Sequence, residues 1–325
     1  MARSILLADI TLARRTNRIA IASPGDFRHG APTKAAAIPA GALPYCLDVI
    51  ARRSLYLTGL DVRATQEAPF YYLYARRNAR AIASVPWEWS VPASSGGAAP
   101  ILLFSPGRCG STLLSQLLFD GGIPNVSEPD FYTQLTSIGG ASVLNPIRGA
   151  MQSAVRRMGA DMSDALGQPL VIKLRAESCR APQLIVATGE RRTIFMTRRF
   201  EDWVRSTGRV FRNPPQKMIG KYMQSLVCFA WLKKYTEVHL VRYEDLVASP
   251  EQIAENLSRF LGRVIPAGIA TAALARDSQK GTPLAQGMRA ANDRTDRFVD
   301  DALALWNSDK VRRARDRLDV AEIAP

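Results

Sequence analysis

The sequence predicts an α/β fold in which a parallel β-sheet is flanked by helices on both faces. Short apolar runs that suit buried strands, at residues 101–104, 170–172 and 193–196, alternate with segments of helical spacing. Strands that are apolar throughout are typical of a sheet covered on both sides. The linker VPASSGGAAP, residues 91–100, indicates a boundary between an N-terminal extension at 1–99 and a core domain at 100–325.

The spacing of apolar residues predicts the individual helices and strands. In the extension we expect loose structure and one short strand over 1–44, a helix over 45–60, and a helix over 66–83 after Pro69. In this last helix the aromatic side chains are predicted to face inward, with Arg76, Arg77 and Arg80 outward. In the core domain we expect short strands at 125–127 and from 239, and helices at 143–166, 200–210, 216–233, 252–261 and 297–320.

The composition is typical of a globular protein with an excess of basic residues. Of 325 residues, 47% are hydrophobic and 22% charged, as in globular proteins. The 43 Lys and Arg residues exceed the 29 Asp and Glu residues, and the net charge of +14 suits a polyanionic ligand. An arginine-rich proteome would give the same excess. Because basic runs with interleaved aromatics are missing from the sequence, dedicated nucleic-acid binding is not expected.

Cysteine and histidine usage argues against a metal site. The four cysteines are scattered without a C-x-x-C pair, and the chain has two histidines. Free thiols are typical of a reducing compartment. No segment has the roughly 20 apolar residues of a membrane span. We therefore expect a cytoplasmic protein, although the Arg-rich first residues also resemble a transit peptide.

The loop after the first predicted core strand has the features of a phosphate-binding loop. A strand at 101–104 leads into SPGRCG, and helical spacing starts at Ser111. Backbone N–H groups at a helix N-terminus, together with its dipole, favour anions. The candidate binding residues of this loop are Gly107, Arg108, Cys109, Gly110, Ser111 and Thr112. A Walker A loop would have four residues between its glycines and a lysine before the Ser or Thr, so ATP hydrolysis is not expected.

Polar residues follow the ends of the other strands too. Ligands in such sheets bind beyond the carboxyl ends of the strands. Arg108, Glu128, Lys173 and Arg198 all come directly after apolar runs or at their ends. We therefore predict that these four residues converge.

Two motifs, PGRCGST at 106–112 and FMTRRFEDWVRS at 195–206, resemble those of the sulfotransferases of the bacterial or carbohydrate type, which use 3′-phosphoadenosine 5′-phosphosulfate (PAPS). PGRCGST at 106–112 is similar to the family's first nucleotide motif, P-[KR]-[ST]-G-[ST]-[ST], with Gly107 inserted and Cys109 in a Ser/Thr position. FMTRRFEDWVRS at 195–206 resembles the motif for the 3′-phosphate, in which Arg198 and Ser206 have the family's spacing. The Asp-Pro that usually follows this arginine is replaced by Arg199 and Phe200.

Two further segments extend the resemblance over roughly residues 100–285. LVRYEDLVASPEQIAENLSRFLG at 240–262 is similar to the family's C-terminal strand and helix, and we expect Arg242 and Asp245 to brace the sheet edge. SQKGTPLA at 278–285 resembles the loop that closes over the 3′-phosphate, which makes Lys280 and Gly281 candidate binding residues.

The resemblance implies metal-independent in-line transfer of a sulfuryl group from PAPS to an acceptor hydroxyl, or less often an amine. Glu128 is placed like the glutamate base of bacterial and carbohydrate sulfotransferases, with Asp130 as the alternative base. Arg108 and Thr112 would hold the 5′-phosphosulfate with the loop N–H groups, and Lys173 would steady the bridging oxygen.

Other functions stay open. A nucleotide-dependent small-molecule kinase would need Mg²⁺, and a non-catalytic sulfotransferase-like protein would bind without turnover. The acceptor could be a small molecule, a lipid or a carbohydrate. The sequence does not decide the oligomeric state.

Overall fold

The computed structural model describes residues 4–13, 20–89, 99–138, 142–186, 192–211, 213–276 and 295–323. The chain divides into two compact units. The first contains Met1–Leu102 and Ile123–Glu190, and the second contains Leu103–Gly122 and Arg191–Pro325. The boundary near residue 99 stays a prediction, since linker residues 91–98 lie outside the described residues.

The N-terminal part of the first unit is an antiparallel sheet. Its strands are β1 (Ile5–Leu12), β2 (Phe27–His29), β3 (Thr33–Ala35), β4 (Leu43–Asp48), β5 (Arg53–Thr58) and β6 (Ala81–Pro86). They lie in the order β2-β1-β6-β5-β4, and β3 pairs with β1. The short strand expected near the start of residues 1–44 is confirmed as β1, but three further strands begin in that stretch, so the loose structure expected there is only partly correct.

The remaining strands form the predicted parallel sheet. They are β7 (Ile101–Phe104), β8 (Asn125–Ser127), β9 (Val171–Lys173), β10 (Arg192–Thr197) and β11 (Glu237–Arg242), in the order β11-β10-β7-β9-β8. Parallel registers pair Ser127 with Lys173 and Thr197 with Arg242. Helices flank this sheet, so the predicted fold class is confirmed.

Thirteen α-helices are described. They are α1 (Val62–Glu67), α2 (Tyr71–Asn78), α3 (Ser111–Asp120), α4 (Asp130–Ile138), α5 (Arg148–Leu166), α6 (Pro182–Val186), α7 (Phe200–Gly208), α8 (Pro215–Tyr235), α9 (Tyr243–Ala248), α10 (Pro250–Leu261), α11 (Ile269–Leu274), α12 (Thr295–Trp306) and α13 (Asp309–Asp316). The predicted helices at 143–166, 200–210, 216–233 and 252–261 are confirmed within a few residues. The last predicted helix, 297–320, is two helices with a break at 307–308.

The helix predicted over 45–60 is wrong, because this stretch is the β4–β5 hairpin. A helical period would place Ile50 on one face with Leu47 and Leu55, but Ile50 is 99% exposed at the turn, where Arg52 has a φ of 53°. Leu47 and Leu55 are instead buried on neighbouring strands. A spacing that fits a helix was here produced by two strands and the turn between them.

The helix predicted over 66–83 is only partly correct. Helix α2 ends at Asn78, and residues from Ala81 belong to β6. Tyr71 and Tyr72 face inward as predicted, and Arg77 is exposed. Arg76 was expected to face outward but is buried, because its guanidinium pairs with Asp26.

The parts of the chain that the structure describes contain no helix that is long and apolar enough to cross a membrane.

Candidate functional site

The predicted phosphate loop lies in the second unit, between β7 and α3. Gly107, Arg108 and Gly110 all have left-handed backbone conformations, with φ of 73°, 55° and 91°. Such conformations in a loop turn successive N–H groups toward a common anion. For Arg108, which has a Cβ atom, this backbone costs on the order of 1–2 kcal/mol. Gly110 is the N-cap residue of α3 and supplies no side-chain cap to its first turn.

Gly110 is required by packing. A Cβ atom at this position would lie 2.4 Å from Cδ2 of Tyr243 and 3.0 Å from Cε of Met196. The missing side chain therefore lets the Tyr243 ring, at the start of α9, lie directly against the loop.

Two contacts join the loop to β10 and α7. The Cys109 thiol lies 3.5 Å from the carbonyl oxygen of Met196, and the Trp203 indole N–H donates to the Gly107 carbonyl at 2.7 Å. Cys109 is completely buried. Its side chain therefore anchors the loop to the sheet, and only its backbone can contribute to ligand binding.

Arg198, at the end of β10, is held beside this loop. Its guanidinium carbon lies 4.3 Å from the centre of the Tyr243 ring, the same ring that packs on Gly110. Its carbonyl oxygen accepts a hydrogen bond from the Tyr222 hydroxyl at 2.6 Å. Its Nε is buried and has no hydrogen-bond partner among the residues that the structure describes. Such a group can donate a charge-assisted hydrogen bond to an anion.

In place of the Asp-Pro that usually follows this arginine in the family, a contact from α9 holds the start of α7. The Arg199 N–H, at the start of α7, donates to Oε1 of Glu244 at 2.9 Å. The carboxylate thus lies at the N-terminus of α7, where the helix dipole favours negative charge. Asp245, which was expected to brace the sheet edge, is exposed, and its neighbour Glu244 makes the contact instead. Ser206 is half-buried in α7.

Glu128 and Lys173 form an ion pair in the first unit. Lys173 Nζ donates to Oε1 of Glu128 at 3.0 Å, and the Glu128 N–H donates to the Lys173 carbonyl at 2.7 Å. Glu128 has a φ of 60°, a strained conformation for a residue with a side chain. The Glu128 side chain is 15% exposed and that of Lys173 is 3% exposed.

Asp130, the alternative base, is enclosed. Its side chain is 0% exposed, and Oδ1 lies 2.7 Å from Nε of Arg175. Oδ2 accepts from the Ala22 N–H at 2.7 Å. Burial raises the pKa of Asp130 to about 7, against the opposing effects of Arg175 and the Ala22 N–H. Of the two carboxylates, only Glu128 is partly exposed to solvent.

Aromatic rings of α2 and the residue before it cover the cations around Glu128. Lys173 Nζ lies 5.2 Å from the centre of the Phe70 ring, and the Arg175 guanidinium carbon lies 4.0 Å from that of Tyr72. Arg175 also lies 3.7 Å from Oε2 of Glu128. The N-terminal extension therefore shapes the surroundings of this pair.

The four residues that were expected to converge lie in two units, two in each, and their convergence stays a prediction. Glu128 meets Lys173 in the first unit, and the loop that carries Arg108 meets Arg198 in the second. Lys280 and Gly281 lie outside the described residues.

Sequence reasoning missed several residues of these groupings. Arg175 follows β9 closely, and the strand-end rule that selected Lys173 could have selected it too. Tyr243 lies in the RYEDL motif, which was given a structural role only. No local pattern pointed to Trp203. Among the described residues, no group of three or more His, Cys, Asp or Glu is placed to hold a metal ion.

Comparison with known proteins gives matches only to solved structures; no family model and no curated protein matches the chain. Three of the structural neighbours are sulfotransferases. Mouse sulfotransferase SULT7A1 complexed with PAP is 11% identical, with a TM-score of 0.38 over 67% of this chain and 89% of that one. The sulfotransferase domain of the Synechococcus PCC 7002 olefin synthase is 16% identical, with a TM-score of 0.41 over 69% and 94%. The sulfotransferase domain of the curacin biosynthetic pathway is 14% identical, with a TM-score of 0.39 over 67% and 96%.

These neighbours belong to the family that the sequence motifs resemble. At such identities and TM-scores the likeness carries no argument about the activity of this chain. That argument has to come from the residues themselves.

Proposed function

We propose that this chain is a sulfotransferase that uses PAPS as donor. The observation that carries the proposal is the position of Arg198 beside the phosphate loop. Its buried Nε has no partner among the described residues, and its guanidinium lies on the same Tyr243 ring that packs on Gly110. Backbone N–H groups and an available arginine thus lie around one aromatic side chain, which suits a ligand with two phosphate groups.

PAPS and its product, 3′-phosphoadenosine 5′-phosphate (PAP), have this chemistry. In our proposal the loop from Gly107 to Thr112 binds the 5′-phosphate, while Arg198 and Ser206 bind the 3′-phosphate. Lys280 and Gly281 are further candidates for the 3′-phosphate. An arginine can donate two parallel hydrogen bonds to a phosphate, which gives direction as well as charge.

For the transfer we propose Glu128 as base. Its carboxylate would take the proton of an acceptor hydroxyl while the acceptor oxygen forms a bond to sulfur and the bond from sulfur to the 5′-phosphate oxygen breaks. Lys173 and Arg108 are proposed to stabilise the charge that grows on the departing phosphate. A sulfuryl group carries less charge than a phosphoryl group, so protein cations are sufficient in this scheme and no metal is required. The acceptor is a small molecule, a lipid or a carbohydrate.

Calorimetric titration tests the donor. We expect PAP to bind with micromolar affinity without metal, and Arg198→Ala to weaken binding about 10- to 100-fold, because hydrogen bonds to charged groups are lost. Arg199→Ala is the matched control, since this neighbouring side chain is exposed. Binding of ATP with Mg²⁺ but not of PAP would replace the proposal with a kinase. Binding of neither would leave a protein without this nucleotide function.

Formation of PAP from PAPS tests the reaction. Candidate phenols, sugars and lipid headgroups are added one at a time, and PAP is quantified. An acceptor that accelerates PAP formation identifies the substrate class. PAP binding without turnover on any acceptor would support the non-catalytic alternative.

A further inference from the structure

Tyr243 contacts both parts of the proposed nucleotide site. It is the first residue of α9, directly after β11, and its side chain is half-buried. One edge of its ring lies where a Gly110 Cβ would be, and the Arg198 guanidinium lies 4.3 Å from the ring centre.

Among the described residues, the Tyr243 ring is the one aromatic partner of the Arg198 guanidinium. The backbone of this region is fixed separately, through the Tyr222 hydroxyl on the Arg198 carbonyl and through Glu244 on the Arg199 N–H. Among the described residues, no carboxylate pairs with Arg198, and its Nε has no hydrogen-bond partner. An arginine stacked on an aromatic face keeps its in-plane N–H groups available for a phosphate.

We propose that Tyr243 is a positioning residue that orients Arg198 toward the 3′-phosphate, and that it thereby sets the preference for a nucleotide with that phosphate. This inference rests on the proposed function. The ring also packs on Gly110, but the loop is anchored independently of it, through the Trp203 indole on the Gly107 carbonyl and the Cys109 thiol beside the Met196 carbonyl. Loss of the ring should therefore act on Arg198 and leave the loop in place. A carboxylate partner would hold the arginine as well, but it would compete with the ligand, whereas the ring does not.

The test compares two nucleotides that differ only in the 3′-phosphate. PAP is titrated by calorimetry, and AMP is measured by competition against PAP. We expect Tyr243→Leu to lower PAP affinity about five- to tenfold, the size of a partly buried cation–π contact, and to leave AMP affinity unchanged. Tyr243→Phe keeps the ring and should retain the preference for PAP.

A double variant separates positioning from general damage. If the ring acts through the guanidinium, Tyr243→Leu should weaken PAP binding no further in the Arg198→Ala background. Tyr235→Leu is the matched control, because Tyr235 also lies beneath a cation, Lys234 at 5.1 Å, at the end of α8. This control should not change either affinity. Tyr243→Met, which lacks a ring but fills similar volume, serves if Tyr243→Leu does not fold.

The outcomes distinguish this inference from the proposed function. Equal losses for PAP and AMP, or additive losses in the double variant, would assign Tyr243 a structural role only and overturn the inference. A wild-type protein without preference for PAP over AMP would overturn the proposed function itself.

Discussion

Arg198 of the second unit and Arg175 of the first unit both stack on a tyrosine ring, at 4.3 Å from Tyr243 and 4.0 Å from Tyr72. Their partners differ. Arg175 lies 2.7 Å from Asp130 and 3.7 Å from Glu128, whereas Arg198 has no ion pair with any described residue. Stacking on an aromatic ring is thus common to both sites, and the carboxylates are what separate them.

The difference indicates two kinds of charged site. Around Arg175, cations and carboxylates neutralise one another, and a second buried pair, Arg76 with Asp26, adds to this cluster at 3.0 Å. Around Arg198, no described carboxylate balances the positive charge, and we propose that a ligand does. A buried ion pair contributes little net stability, but removing one member is costly. Apart from the proposed base Glu128, the first region should therefore respond to mutation mainly in stability, and the second mainly in nucleotide affinity.

Glu128→Gln should have the largest effect, and this effect should be on turnover. If the variant lost only stability, like variants of the buried ion pairs, Glu128 would not differ from its neighbours. We expect PAP formation in the presence of an acceptor to fall about 100-fold or more, because a general base is lost. PAP affinity should not change, since the loop and Arg198 are intact. Steady-state kinetics with calorimetry measures both. Unchanged turnover would remove Glu128 from the mechanism.

Asp26→Ala tests the neutralised region away from Glu128. Asp26 accepts hydrogen bonds from Arg76 at 3.0 Å and from the Tyr45 hydroxyl at 2.5 Å. Its removal leaves a buried guanidinium without this partner, and we expect a loss of about 3 kcal/mol in the free energy of unfolding. Urea denaturation measures it. Glu67→Ala, which removes the exposed partner of Arg63, should hardly change stability.

Equal effects of these two variants would contradict the view that the first region depends on its buried pairs.

Gly110→Ala tests whether the loop of the second unit contributes to nucleotide affinity. The new Cβ would meet Tyr243 at 2.4 Å in a backbone with a φ of 91°, so we expect weaker PAP binding and about 1–2 kcal/mol lower stability. Gly122→Ala is the matched control, because its φ is 74° but nothing lies within 4 Å of its Cβ position. The control should lose stability and keep PAP affinity. The opposite pattern in calorimetry would remove Gly110 from the site.

Asp130→Asn should also change the pH dependence of stability, and this change in slope is the smallest effect that we predict. Burial raises the pKa of Asp130 from 3.8 to about 7, so between these values the folded protein binds more protons at this residue than the unfolded protein. The contribution of Asp130 to stability is therefore present at low pH and is lost as pH rises toward 7. Urea denaturation from pH 4.5 to 7.5 should show a shallower slope for the variant. Identical slopes would show that Asp130 does not titrate in this window.

Prediction succeeded where a feature is local in the chain. The strand, loop and helix of residues 101–120 were correctly predicted because an apolar run, two glycines and a helical spacing are contiguous. The hairpin at 43–58 was missed because its strands are stabilised by pairing with each other and with β6, which a helical period cannot reveal. Arg76 was placed outside for the same reason, since its partner Asp26 lies on another element.

The sequence by itself determined the α/β class, the position of the phosphate loop and the identity of Arg198 and Glu128 as candidates. These follow from residue type and spacing. Only the tertiary structure decided which charges are neutralised: Asp130 by Arg175, Asp26 by Arg76, and Arg198 by no described residue. It also placed Tyr243 between Gly110 and Arg198. The physical reason is that electrostatic and aromatic contacts depend on distance in space, and distance along the chain does not fix it.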